Sequence, residues 1–504
     1  MMKGRDSALF LPTRRGVLGA IPAAAMVSSA VAAAPPRTTA LSPEATKAIG
    51  GMVDGFVAQN RADGLSVAVV MNGATRFFNA GVTSQTTLTA ATEHHVYEIG
   101  SVSKTFTALI LASAIKEGRV ALNDPVRKFL PPGFDNLAKD GRAVTFADIV
   151  TTTSALPDNV PDYLAVAPGA PPKQLIFAAA QFLDAFPYAG FLPELAKVTL
   201  LDKPGVAPRH SNAASVLLGV LLERIYGRPY ADLLSRYVEK PLGLGAGTGE
   251  GRASLQVAGY GADATPRPRF NQPVMLAAAG LHYSAADMAN YLTAQIDSRT
   301  PAIALSQQPL FAVSDADSIA FHWTVGRKAD SKTYLRHSGG TFGCSTYCDF
   351  HPDQRFGIVL LANRVTRDTQ EDLKKMAEAI HLTLFGAPAG LARLHRLLEA
   401  SDYSDVTVTV ALVKRQNPEL FLKEDDLNDW AYRLLKAQRV KAAVGLAGYN
   451  AAIRPESWNA HDTYGEMLAA NGDKARAIAE YQRSIELNPA NSSGKVMLAK
   501  LQSQ

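Results

Sequence analysis

Between Thr105 and Ile115 the chain carries no charged residue, yet Lys104 stands immediately ahead of that stretch. The run reads as a helix from about Ser101 to Glu117, closed by Gly118, whose tolerance of positive φ suits a C-cap. A helix apolar on every side is a buried helix. It draws the Lys104 amine into a poorly hydrated setting, where the charged form is disfavoured. Ser101 lies three residues earlier, on the same helical face and within hydrogen-bond reach. A serine hydroxyl is a weak nucleophile until a base takes its proton. Ser101 and Lys104 are therefore the candidate nucleophile and base. The free N–H groups of the first helical turn favour negative charge developing beside them.

The surroundings of this helix alternate sheet and helix signals. Ser42 to Gln59 has helical character, and Leu65–Met71 reads as a strand. Asn72-Gly73 is a strong two-residue hairpin signal, after which Arg76–Ala80 returns as a second strand, so the sheet is expected to be antiparallel. From Gly118 to about residue 260 the pattern is mostly helical, broken by Pro/Gly-rich loops such as Asp158–Pro172. Sheet character resumes over 319–326, 334–337, 344–350 and 356–362, with Asp353-Gln354-Arg355 turning the last pair and a helix following over 370–385. The expected fold class is α/β (α+β): an antiparallel sheet flanked by helices over residues 42–386, with an all-helical lobe inserted at about 120–260.

Residues 387–425 read as a linker with a connecting helix. Beyond them Ile453-Arg454-Pro455 and Leu487-Asn488-Pro489 close two segments of helical pattern with a 34-residue period. Trp430-Ala431 and Tyr464-Gly465 match, as do Ala443 and Ala477. This resembles the tetratricopeptide repeat, so residues 426–504 are expected to form helical repeats. Two copies fall short of a free-standing solenoid, which calls for packing on the body or on a protein partner.

The net charge of +5 is concentrated at the N-terminus, where Lys3, Arg5, Arg14 and Arg15 face only Asp6 within residues 1–34. The remainder gives no reason to expect nucleic acid as a partner. Arg14-Arg15 ahead of an Ala-rich apolar run reads as a twin-arginine-like export signal over 1–34, hence an exported or periplasmic protein without a membrane span in its mature form. Cys344 and Cys348 are too few for a disulfide scaffold or a zinc site, and the histidines show no metal-binding spacing. No metal and no cofactor is expected.

Tyr97-Glu98-Ile99-Gly100-Ser101-Val102-Ser103-Lys104 resembles the active-site segment of class C serine β-lactamases, a family shared with DD-peptidases and some esterases (family VIII-type among them). The likeness spans roughly residues 42–386. It implies a Tyr-x-Asn element from the helical lobe and a Lys/His-x-Gly element on the strand lining the cleft. The second is present as His337-Ser338-Gly339, followed by Gly340. For the first, His210-Ser211-Asn212 is the best match, with His210 where tyrosine is expected. By this resemblance Ser101 is acylated with Lys104 and His210 assisting. Asn212, His337, Ser338 and Gly339 contact the substrate, and the N–H groups of Ser101 and Gly340 form an oxyanion hole. β-Lactam hydrolysis is the leading expectation, with DD-carboxypeptidase or endopeptidase action and carboxylesterase activity as alternatives. A catalytically silent penicillin-binding or envelope scaffold is the reading from another class, motivated by His210.

Overall fold

The computed structural model describes residues 41–503, so the expected export signal over 1–34 lies outside the described residues. Helix α1 (Pro43–Ala58) starts where Ser42 accepts a hydrogen bond from the Ala45 N–H at 3.1 Å. Strand β1 (Gly64–Met71) and strand β2 (Ala74–Gly81) pair in antiparallel register across Asn72 and Gly73. Both turn residues have positive φ, 53° and 85°, as a tight hairpin following the strand twist requires.

A short pairing of β3 (Val96–Glu98) with β4 (His282–Ser284) precedes helix α2 (Ser103–Lys116) and helix α3 (Ala285–Ile296) respectively. The main sheet is completed by β5 (Phe311–Ala312), β6 (Asp317–Ile319), β7 (Thr324–Arg327), β8 (Thr333–Gly340), β9 (Ser345–His351) and β10 (Phe356–Ala362). The main sheet runs β2-β1-β10-β9-β8-β7-β6-β5, antiparallel throughout.

Alternation along β1 explains its apolar run from Val67 to Met71. Val67 and Val69 pack with Ile49, Val53, Leu373 and Ile380, beneath α1 and helix α4 (Thr369–Phe385). Ala68 and Val70 face the opposite way, into the large core containing α2 and α3. A strand covered on both faces has no polar side to show. Residues 118–280 supply the inserted lobe, which is not all-helical as expected: Ala138–Lys139 and Arg142–Ala143 pair as a small antiparallel hairpin, because Asp140 and Gly141 take the positive φ of a tight turn. The longest helix of the lobe, over 212–226, is largely buried and ends at Gly227 with φ 64°.

Past α4, the stretch expected as a linker with a connecting helix holds two helices, α5 (Ala389–Ala400) and α6 (Val406–Gln416). Leu394, Leu398, Val406 and Val410 share one core with Trp430, Ala431, Ala443 and Leu446. That core spans α7 (Glu424–Lys436) and α8 (Val440–Ile453) and reaches Met467 on α9 (Trp458–Ala470), while Leu468, Ala477, Tyr481 and Leu501 form a second, smaller core with α10 (Lys474–Leu487) and α11 (Ser492–Ser503). Hairpins α7–α8 and α9–α10 repeat at 34 residues, with Ala443 and Ala477 both buried. Contacts with the body include polar ones, Phe421 donating its N–H to the Ala329 carbonyl at 2.9 Å and Arg454 pairing with Asp315 at 2.9 Å, and the stacking of Arg327 over the Phe421 ring at 4.3 Å.

Candidate active site

Gly100 to Val102 form a single 3-10 turn, and α2 proper begins at Ser103, so Ser101 sits just ahead of the α-helix rather than inside it. Gly100 has φ 54°, and a Cβ there would meet the Gly340 N–H nitrogen at 2.5 Å. A Cβ on Gly339 would strike the Ile99 carbonyl and lie 3.0 Å from the Ser101 nitrogen. Only glycines on both sides let the two backbones close this far. The amides of Ser101 and Gly340 are thereby brought to the same mouth.

Glu98 fastens this junction from below. Its buried carboxylate accepts from the Thr341 hydroxyl and from the Phe270 N–H at 2.9 Å, while burial raises its pKa. Ser103, on the far side, accepts the Leu281 N–H at 3.2 Å.

The Lys104 amine lies 2.8 Å from Ser101 Oγ, 2.8 Å from Asn212 Oδ1 and 3.0 Å from the Ala278 carbonyl. Burial pulls its pKa down to about 7, against the opposing pull of Asp158. A neutral amine has two protons and one lone pair. The two oxygens that can only accept, on Asn212 and Ala278, take the protons and leave the lone pair for the Ser101 hydroxyl. The arrangement is that of a base already aimed at its proton. Asn212 is itself fixed, donating through Nδ2 to Asn159 Oδ1 at 3.0 Å.

His210 stands at the exposed mouth rather than against the amine. Its Nδ1 donates to Asp158 Oδ1 at 2.7 Å, and among the described residues no hydrogen bond joins its ring to Ser101 or Lys104. Burial works to raise the Asp158 carboxyl, but the His210 hydrogen bond and the Asn212 N–H outweigh it and hold the pKa low. An anionic Asp158 on Nδ1 fixes the tautomer that leaves Nε2 free to carry a proton.

His337 is tied down differently, donating from Nδ1 to its neighbour's carbonyl at Ser338, 2.6 Å away. Burial, then repulsion from Lys104, drives its pKa down to about 3, so the ring is neutral. It offers no fixed cation. Residues 333–336 of β8 pair with β7, whereas residues 337–340 have no strand partner on that side among the described residues. The free edge beside Ser101 can take an extended substrate backbone as an added strand.

Ser101, Lys104, Asn212, Gly339 and Gly340 thus meet at one place, with the His337 ring near enough to feel Lys104 and His210 at the rim. Ser338 lies on the same strand but pairs with Tyr347, and among the described residues no hydrogen bond joins its side chain to Ser101 or Lys104. Sequence reasoning missed Asp158, Asn159, Glu98 and the Ala278 carbonyl. The last is a backbone group and leaves no trace in a side-chain pattern. The two cysteines are free and buried, and no cluster of metal-ligating side chains occurs among the described residues.

Comparison with known proteins agrees with this geometry. Residues 49–382 match the model of the family described as Beta-lactamase. A beta-lactamase of Pseudomonas fluorescens is 26% identical over 361 residues, covering 63% of this chain and 92% of its own. D-alanyl-D-alanine-carboxypeptidase/endopeptidase AmpH of Escherichia coli (strain K12) is 25% identical over 307 residues, covering 57% of this chain and 74% of its own. Two solved structures share the fold, each with a TM-score of 0.56. The octameric penicillin-binding protein homologue from Pyrococcus abyssi is 20% identical, covering 69% of this chain and 81% of its own. D-alanine carboxypeptidase AmpC from Burkholderia cenocepacia is 22% identical, covering 68% and 99%.

Proposed function

The chain belongs to the Beta-lactamase family and is a serine hydrolase, and from that premise we propose that it works through a covalent acyl-enzyme on Ser101. The Ser101 hydroxyl passes its proton to the neutral Lys104 amine as Oγ attacks the substrate carbonyl. The oxyanion is held by the Ser101 and Gly340 amides, each donor being worth roughly 3 kcal/mol in the transition state. As the tetrahedral intermediate collapses, the proton on Lys104 reaches the leaving group, directly or through the His210–Asp158 pair. Water, deprotonated by the same groups, then releases the acyl product and regenerates the serine. Asn212 keeps the Lys104 amine in line, and the open edge at His337, Ser338, Gly339 and Gly340 orients the substrate. The observation that carries this reading is the 2.8 Å approach of a buried Lys104 amine to Ser101 Oγ.

β-Lactam hydrolysis is the leading substrate reading, followed by D-alanyl-D-alanine peptides. The neutral His337 favours a second reading, carboxylesterase action, because an ester needs no cation opposite a substrate carboxylate. Steady-state turnover of a chromogenic cephalosporin, a D-Ala-D-Ala peptide and a short-chain ester ranks the three. Intact mass after penicillin exposure tests the mechanism itself: an adduct absent in Ser101→Ala supports it. No adduct and no turnover by folded protein would leave the silent-scaffold reading, for which the histidine at 210 is the argument.

Residues 1–34 are read as directing export. The hairpins α7–α8 and α9–α10 are read as tetratricopeptide-like repeats serving a protein partner, a reading supported by their 34-residue period.

A further inference from the structure

A recess of about 690 Å³ lies where the hydrolase body meets the helical extension, lined by the β7–β8 turn, β9, α4, α5 and the start of α7. It opens on the α4 face of the sheet. Tyr347 and Asp349, which line it, alternate with Cys348 and Phe350, which point into the core around α2. The catalytic pair is therefore on the other side.

The floor is aromatic. Tyr334 stacks on His351 at 5.2 Å, and His351 packs on His381 at 4.6 Å. Two amines flank Tyr334 from different segments: Lys328 Nζ is 5.5 Å and Lys423 Nζ 5.4 Å from the ring centroid. Neither has a carboxylate within 4.0 Å among the described residues, unlike Lys332, which Asp330 neutralises at 2.7 Å. Burial lowers Lys328 only to about 8, which leaves it cationic at neutral pH. Facing these amines, Asp349 is buried and held by His351 Nε2 at 3.2 Å, with no lysine or arginine in ion-pair range among the described residues. Glu378 and Asp426 extend the acidic wall toward the rim.

Among the described residues the Lys423 amine donates only to the Tyr334 hydroxyl, at 3.5 Å, and the amines and carboxylates act on one another from beyond ion-pair distance. Charges of both signs held apart in this way over an aromatic floor leave room for a ligand that bridges them. A carboxylate between Lys328 and Lys423, with an ammonium toward Asp349 and Glu378, neutralises both walls at once. We propose that this recess is a second binding site, distinct from the serine cleft, for a short peptide bearing a free carboxylate and an ammonium group. The volume lies within the roughly 300–1,000 Å³ of small-ligand pockets, which suits a short peptide. About a third of the wall comes from the helical extension, so occupancy ties that extension to the hydrolase body.

The test is isothermal titration of the full chain carrying Ser101→Ala with the tripeptide Ala-Lys-Ala. Its C-terminally amidated form lacks the carboxylate, and its N-acetyl-Ala-Gln-Ala analogue lacks the ammonium groups. One equivalent of Ala-Lys-Ala should bind, and each analogue should bind at least tenfold more weakly. Lys423→Ala should erase the preference for the free carboxylate, and Glu378→Gln should weaken the preference for the ammonium. Both substitutions are near the surface, and unchanged melting temperatures would establish that they fold. No binding up to 10 mM, equal binding of the analogues, or binding indifferent to both substitutions would overturn the proposal. So would binding abolished by Asn212→Ala alone, which would assign the peptide to the catalytic cleft.

Discussion

At the residue scale the chemistry rests on one amine kept where it is uncomfortable. The folded state holds Lys104 at about 7 against an ordinary 10.5, with burial as the cause. Below pH 7 both folded and unfolded chains carry the proton, and the full cost of burying an ammonium applies. Between about 7 and 10.5 the folded chain gives the proton up while the unfolded chain keeps it, so stability gains with rising pH. Lys104→Met removes the charge at similar volume. It should raise stability by on the order of 1 kcal/mol or more at pH 6, with a smaller gain at pH 10, while lowering acylation about 10³-fold. Thermal melts at the two pH values and acylation rates check both halves. His210 is a second residue-scale case: His210→Ala should lower kcat by 10- to 100-fold with little change in melting temperature, as suits an exposed proton carrier. A kcat within twofold of the parent would remove it from the mechanism.

At the scale of elements, the site depends on the 3-10 turn at Ser101 closing onto the end of β8. Gly339→Ala drives a methyl group into the Ile99 carbonyl and the Ser101 nitrogen. It should cost about 2–4 kcal/mol and at least 100-fold in acylation, readable by denaturation midpoint and stopped-flow acylation.

Much of this scale was legible in the chain. Asn72-Gly73 announced the hairpin because few other residue pairs accept two positive φ values in succession. The uncharged run after Lys104 announced a buried helix, and His337-Ser338-Gly339 stood out by resemblance. The Asp158–His210 pair was not legible: the partners are 52 residues apart, and Asp158 opens a loop with no periodicity. Helix α6 was hidden for a different reason. Val406-Thr407-Val408-Thr409-Val410 alternates with a strand's period, and its burial against Trp430 and Leu446 overrides that local preference.

At the scale of the whole molecule, the hydrolase body and the helical extension have separate hydrophobic cores. The body encloses α2 between sheet and lobe, while the extension packs Leu394, Leu398, Trp430 and Leu446 around its own centre. A chain ended after residue 386 should therefore fold and acylate within about threefold of the full chain. Loss of the body's near-ultraviolet circular dichroism in that truncation would contradict the separation.

The claim on which the mechanism stands is that Lys104 acts as the neutral base for Ser101. Its most direct test is the pH dependence of the single-turnover acylation rate, measured with whichever penicillin or activated ester labels the protein. The rate should rise sigmoidally with an apparent pKa of about 7, the value the buried amine carries, and that step should vanish in Lys104→Met. A rate flat from pH 5 to 9, or a step that survives the substitution, would contradict it.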